Sequence, residues 1–323
     1  MDALLKVENL TTVFESEEGV SRVVDGVSFA IGQAEMVGLV GESGCGKSVT
    51  ALSIMRLIAE PPGRITGGAI YFEGTDLLTL PEKDMRKVRG NKISIVFQEP
   101  LSSLNPVFTC GEQVREAIAL HQRLGKRASK EKAIEMLRLV RIPDPEKRYG
   151  NYPHQMSGGM RQRVMIAMAL SCEPKLLIAD EPTSALDVSV QGQIIELLSD
   201  LQSRMRMAVL LITHDLAVVA QMVSRIIVMY AGTIFEESPV RELFREPRHP
   251  YTEGLLASIA KPGARGGLLP TIPGSVPEPL LLPAGCRFSD RCPKRFEKCT
   301  CQEPPLFEVS VGHRSRCWLS GGG

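Results

Sequence analysis

Met36-Val37-Gly38-Leu39-Val40-Gly41-Glu42-Ser43-Gly44-Cys45-Gly46-Lys47-Ser48 is the stretch on which the reading of the whole chain turns. Residues 36–40 are uncharged and mostly apolar, the composition of a short buried strand, and they stop at Gly41. From Lys47 onward Val49, Leu52, Ile54, Met55 and Ile58 recur at helical spacing. Residues 41–48 therefore satisfy G-x-x-x-x-G-K-[ST] in the strand–loop–helix context that the motif requires. The chemistry needs these residue types. Glycines let successive backbone N–H groups converge on phosphate oxygens without a Cβ in the way. The helix start adds the positive end of its dipole, Lys47 brings a point charge to the β/γ-phosphates, and the Ser48 hydroxyl is a Mg²⁺ ligand. A Gly-rich turn with a chance Lys-Ser is the bland alternative, and the flanking elements count against it.

Working outward, Leu176-Leu177-Ile178-Ala179-Asp180-Glu181 reads as an apolar strand that delivers a carboxylate at its C-terminal end. Asp180 fits a Mg²⁺ site at the edge of a parallel sheet, and Glu181 is the natural general base for water. Strands ending in Asp-Glu are common, so this segment gains its meaning from Lys47 and Ser48. Strand-like runs also fall at 4–7, 21–24, 27–31, 69–72, 93–97 and 209–213, and amphipathic helices over 107–145. Alternating strands and helices predict an α/β core, interrupted by an inserted helical segment at 107–170. After residue 236 proline becomes frequent and 263–267 has the look of a linker, so the end of the chain reads as an extended tail.

The bulk properties narrow the function. In 323 residues, Lys+Arg number 38 and Asp+Glu 37, so a net charge of +1 offers no basic field for nucleic acid. Hydrophobic residues make up 43% and charged residues 23%, the balance of a globular protein with a core. The longest apolar runs, 164–170 and 207–212, fall far short of the roughly 20 residues that span a bilayer. The first residues show no secretory h-region, which leads us to expect a cytosolic protein with reduced thiols. Of eight cysteines, Cys45, Cys110 and Cys172 are scattered, while Cys286, Cys292, Cys299, Cys301 and Cys317 crowd the end. Their spacings match neither the short zinc patterns nor ferredoxin runs, so zinc, an iron–sulfur cluster and free thiols all stay open on chemistry alone.

Further residues carry a resemblance. Met156-Ser157-Gly158-Gly159-Met160-Arg161-Gln162-Arg163 resembles the signature motif of ATP-binding cassette (ABC) ATPases, shortly before the Asp180 strand as in that family. Gln98 in Val96-Phe97-Gln98-Glu99-Pro100 resembles the Q-loop, Ser184-Ala185-Leu186-Asp187 the D-loop, and His214 in Thr213-His214-Asp215 the switch histidine. The segments Gln98–Pro106, Tyr152–Arg163 and Arg248-His249-Pro250-Tyr251-Thr252, with the terminal cysteines, resemble the ATPase subunits of bacterial dipeptide and oligopeptide importers. Met156 and Met160 stand where the wider family has Leu and Gln. The aromatic expected to stack on adenine falls near Glu18, which cannot stack; Phe14 and Arg22 are the neighbouring candidates.

The resemblance implies an α/β P-loop ABC ATPase core, a mixed RecA-like sheet plus an antiparallel β subdomain, with an inserted helical subdomain and a Pro/Cys-rich extension. Domains of 1–236 (helical part about 100–170) and 237–323 follow. It implies ATP contacts from Gly41, Glu42, Ser43, Gly44, Cys45, Gly46, Lys47, Ser48, Val49, Gln98, Asp180, Glu181 and His214. Mg²⁺ would lie with Ser48, Gln98 and Asp180, and catalysis with Glu181, His214 and Gln98. Ser157, Gly158, Gly159 and Asp187 would reach the nucleotide of a second ATPase subunit, although Ser157 on spacing alone is an ordinary N-cap. Cys286, Cys292, Cys299 and Cys317 would hold a [4Fe–4S] cluster, with zinc as the alternative. The implied function is ATP hydrolysis powering peptide import at the cytoplasmic face of the membrane. Implied partners are two permease subunits, a related ATPase chain and an extracytoplasmic peptide-binding protein. Nickel, opine or oligosaccharide import, or a soluble ABC ATPase, are the alternatives.

Overall fold

The structure, a computed structural model, describes residues 3–98, 103–184, 186–259 and 270–321. It forms two compact units, one of Met1–Ile31, Met36–Leu78 and Thr213–Gly323, the other of Gly32–Glu35 and Thr79–Ile212.

In the first unit, β1 (Leu5–Ser16) pairs antiparallel with β2 (Gly19–Ile31) and β4 (Gly63–Phe72), and β5 (Thr75–Asp76) completes the order β2-β1-β4-β5. The broken strand-like runs of the sequence are thus two long strands, because register shifts along β1 absorb the interruptions in alternation. The shifts leave Thr12 fully buried, where its hydroxyl pairs with Ser53 Oγ at 2.8 Å. A second run of strands in this unit has the order β11 (Phe307–Ser310), β12 (His313–Ser315), β10 (Thr233–Pro239), β9 (Arg225–Tyr230) and β3 (Met36–Val40). Here β3 (Met36–Val40) lies parallel to β9 (Arg225–Tyr230), and all five β3 residues are buried, as a strand covered on both faces must be. Gly38 has a reason to be glycine: a Cβ there would sit 2.5 Å from Val219 of the helix Leu216–Met222.

The C-terminal part is not an extended tail. β12 (His313–Ser315) pairs with β10 (Thr233–Pro239), and β11 (Phe307–Ser310) pairs with β12. Beneath them Tyr230, Phe235, Tyr251, Phe288 and His249 form an aromatic cluster, with Tyr230 4.7 Å from Tyr251 and 5.4 Å from Phe288. Buried Glu236 accepts from the Arg248 and His249 N–H groups and pairs with His313 Nε2 at 2.7 Å. The expectation of an extended tail is corrected: the apolar partners of this segment lie far away in sequence, so local composition hid them. The proposed linker at 263–267 lies outside the described residues.

In the second unit β8 (Ala208–Thr213), β7 (Leu176–Asp180) and β6 (Ile93–Val96) run parallel in that order. The helices Cys110–Gln122, Lys126–Leu139 and Gly158–Leu170 supply the expected helical segment. The last is buried around most of its circumference, including Val164, Ile166, Ala167 and Leu170, so it is a core helix and has no polar stripe. Among the described residues no helix is long and apolar enough to cross a membrane.

Candidate functional site

The phosphate loop lies in the first unit and is held by backbone geometry. At Gly41 a Cβ would meet the Met229 carbonyl at 2.2 Å, and Gly46 caps the helix Lys47–Ile54 with φ 100°, its Cβ position 2.6 Å from Val23 O. Lys47 is buried and donates through Nζ to the carbonyls of Gly41 (2.8 Å) and Glu42 (2.9 Å), so its ammonium stands inside the loop. Cys45 is fully buried, and burial pushes its thiol up, which makes it an inert small residue. Its carbonyl accepts from Gly232 N at 3.0 Å, joining the loop to the β9–β10 turn. Ser43 and Gly44 are exposed, and Ser48 and Val49 are half-buried in the first helical turn. His214, also in this unit, is exposed at the end of β8; Asp215 follows and caps the next helix through Ala217 N at 2.8 Å.

Glu42 is engaged by residues the sequence did not single out for this purpose. Its N–H donates to Tyr251 Oη at 2.9 Å, and its carboxylate meets the Arg291 guanidinium at 3.0 Å. Arg291 also donates to Tyr230 Oη at 3.2 Å. Arg287 donates to Ala231 O (2.6 Å) in the turn under Cys45 and pairs with Asp25 at 2.5 Å. Only the 248–252 resemblance gave a signal for Tyr251; for the arginines there was none beyond their places next to Cys286 and Cys292.

The second unit carries the remaining candidates. β7 ends in Asp180, which is buried, and Glu181 follows with φ 45°, a left-handed backbone rare for a residue with a side chain. Its N–H is anchored to Ile212 O at 2.8 Å, and its carboxylate accepts from Gln98 Nε2 at 2.8 Å. Gln98 and the Asp180–Glu181 carboxylate segment are therefore together in this unit. Ser157 is exposed and caps the helix Gly158–Leu170, accepting from Met160 N at 3.3 Å. Asp187 caps the helix Val188–Met205 and accepts from Val190 N at 2.9 Å; the Ser189 hydroxyl and that N–H hold its carboxyl below the usual range. Gly159 lets these helices touch, since a Cβ would lie 2.7 Å from Val190 Cγ1. Residues 99–102 of the Q-loop segment and Ala185 of the D-loop segment lie outside the described residues.

The adenine candidates divide simply. Phe14 is half-buried with its ring against Gly63, while Arg22 is largely exposed and reaches toward Asp25 at 3.7 Å.

In the first unit Cys286, Cys292, Cys299 and Cys317 line one small cavity with His249, Phe288 and Trp318, while Cys301 is exposed. Burial, reinforced by the neighbouring thiols, pushes Cys286 up to about 12, and burial also raises Cys292 and Cys317. At Cys286, Cys292 and Cys317 this favours the neutral thiol, and positive charge bound among the sulfurs would reverse it. Among the described residues no three His, Cys, Asp or Glu side chains stand close enough to hold a single metal ion.

Comparison with known proteins gives this geometry its class. Residues 24–184 match the ABC transporter family, and residues 235–299 match the oligopeptide/dipeptide transporter C-terminal region. A probable peptide ABC transporter ATP-binding protein of Sinorhizobium fredii is 54% identical, covering 99% of this chain and 96% of that one. The oligopeptide transport ATP-binding protein AppD of Bacillus subtilis is 50% identical over 99% and 97% of the two chains. The ATP-binding cassette MJ0796, solved as a dimer in a post-hydrolysis state with ADP and Pi, superposes with a TM-score of 0.66 at 30% identity, covering 73% of this chain and 99% of that one. The structure of cbiO1 from Clostridium perfringens gives a TM-score of 0.64 at 27% identity, covering 76% and 92%. The chain belongs to the ATP-binding proteins of ABC transporters and is a P-loop ATPase of that fold. Within that family it belongs with the members that carry the oligopeptide/dipeptide transporter C-terminal region.

Proposed function

We propose that the chain powers import of di- or oligopeptides through a binding-protein-dependent ABC transporter. It would work at the cytoplasmic face of the membrane beside two permease subunits, a related ATPase chain and an extracytoplasmic peptide-binding protein. The observation that carries this reading is the presence in one chain of both matches, ABC transporter over 24–184 and oligopeptide/dipeptide transporter C-terminal region over 235–299. We divide the chain accordingly into a nucleotide-binding domain, 1–236, and an extension, 237–323.

In this reading residues 41–49 cradle the triphosphate, with Lys47 turning its ammonium from loop carbonyls toward the β/γ-phosphates. Ser48, Gln98 and Asp180 would hold Mg²⁺, which when bound neutralises charge on the β- and γ-phosphate oxygens. Glu181, steadied by the Gln98 amide, accepts a proton from the attacking water, and His214 donates to the γ-phosphate. Ser157, Gly158, Gly159 and Asp187 address the nucleotide of the partner ATPase, for which an exposed helix N-terminus is suited.

The cysteine cavity fits a [4Fe–4S] cluster held by Cys286, Cys292, Cys299 and Cys317. Four cysteines lining one space supply the thiolate donors such a cluster takes, with zinc as the alternative. We assign it a structural role, since phosphoryl transfer needs no electrons. Iron and sulfide analysis of anaerobically prepared protein tests it, and stoichiometric zinc without iron overturns it.

The function is tested by uptake of radiolabelled peptide into proteoliposomes carrying the whole complex. Uptake should require ATP and this subunit. Transport of nickel, an opine or an oligosaccharide in place of peptide would reassign the substrate.

A further inference from the structure

We propose that Arg291 and Tyr251 are positioning residues for the phosphate loop, and that they couple the cysteine-lined cavity to nucleotide affinity. The proposal rests on the reading of that loop as the triphosphate site. Arg291 sits between two structures. One end of its surroundings is Cys292, its neighbour in sequence and a wall of the cavity. The other is Glu42, whose carboxylate it meets at 3.0 Å.

Its guanidinium is nearly fully used: Nε donates to Pro273 O at 2.8 Å, and the terminal nitrogens reach Glu42, Tyr230 Oη, Ile272 O and Gly274 O. With 7% of the side chain exposed, a planar cation fixed on so many sides has one orientation. Tyr251 holds the same loop residue by its backbone, accepting the Glu42 N–H at 2.9 Å. Glu42 is thus gripped at main chain and side chain by the C-terminal part of the chain.

The cavity end is equally stiff. Between Cys286 and Cys292 the backbone closes on itself through Ser289 N to Cys286 O (2.8 Å), Arg291 N to Phe288 O (3.1 Å) and Cys292 N to Ser289 O (3.3 Å). Arg287, just after Cys286, holds Ala231 O, and the next residue Gly232 donates to Cys45 O in the loop. A displacement of Cys286 or Cys292 therefore moves an arginine that bears on the loop or on its floor. By linkage, nucleotide in the loop must act back on the 286–292 turn with the same coupling energy.

Hydrogen exchange read by mass spectrometry on the purified full chain, with and without ATP, tests this. In the wild type, ATP should slow exchange over 41–48 and over 286–292. In Arg291→Met the loop should exchange faster, ATP affinity should fall at least ~5-fold, the low end of typical couplings, and 286–292 should no longer respond to ATP. Arg291→Lys should recover part of the affinity, because charge returns without the fork. Wild-type affinity in Arg291→Met, or an undiminished ATP response at 286–292, overturns the proposal. Should Arg291→Met not fold, Tyr251→Phe decides by the same criteria, since it keeps the ring in the aromatic cluster and deletes only the hydroxyl. If the wild type shows no ATP response at 41–48 and Lys47→Ala behaves identically, the nucleotide reading itself fails and the proposal with it. If the wild type responds and both variants match it, only the coupling fails.

Discussion

The phosphate loop of the first unit and the 98/157/181 group of the second are built by opposite means. In the loop 41–48 Lys47 is tied to two carbonyls, Cys45 O to Gly232, and Glu42 to Tyr251 and Arg291. In the second unit Gln98, Ser157 and Asp187 are exposed, and Glu181 sits on a left-handed backbone held by Ile212 and Gln98. One region is finished on folding. The other leaves Gln98, Ser157 and Asp187 at the surface. The lesson is that affinity should reside in the first and turnover in the second.

That division can be broken most directly at Glu181. Glu181→Gln should keep ATP affinity yet lower ATPase turnover of the assembled complex at least ~10²-fold, the smaller end for losing a general base. Phosphate release at saturating ATP measures it, and near-normal turnover would remove Glu181 from its role. The reverse pattern is expected at Gly46. Gly46→Ala combines φ 100° with a Cβ 2.6 Å from Val23 O, and a strained residue of this kind costs about 1–3 kcal/mol. It should weaken ATP binding and lower the unfolding midpoint together. Nucleotide titration and thermal melts would show whether it does.

Ser157→Ala sharpens the comparison further. As a cap alone, its loss costs about 1 kcal/mol of stability. If Ser157 also faces a partner's nucleotide, ATPase activity of the complex should fall well beyond what the melt predicts, while ATP binding by the isolated chain stays unchanged. A fall no larger than the stability loss would leave Ser157 as a cap.

The smallest effect concerns pH in the helical unit. Burial and the Glu112 carboxylate, 2.7 Å away, push the Tyr149 phenol up to about 12 from 10.0. The folded phenol keeps its proton where the unfolded one loses it, so this contribution is intact below pH 10.0 and drains away as pH rises toward about 12. Denaturant titrations across that window should show the loss, and Tyr149→Phe should flatten it.

What the sequence made legible follows the range of its signals. Residues 36–48 and 176–181 could be read because strand, turn and charge are contiguous there, and the structure has β3 at Met36–Val40 and β7 at Leu176–Asp180. Gln98 and Glu181 could be named singly, but their 2.8 Å contact spans a gap in sequence that no periodicity encodes. The strands β9 and β10 escaped notice, as did the folding of β12 onto β10, because such pairings depend on residues far apart in the chain. Nor could the left-handed backbone at Glu181 be foreseen, since nothing in Asp-Glu-Pro-Thr announces it.

The contact of Gly159 with Val190 has a mechanical meaning. Between Gly159 and Val190 there is no room for even a methyl group, so the leading ends of the two helices are in direct contact there. The two caps, Ser157 and Asp187, thus begin helices that meet within a turn of their starts.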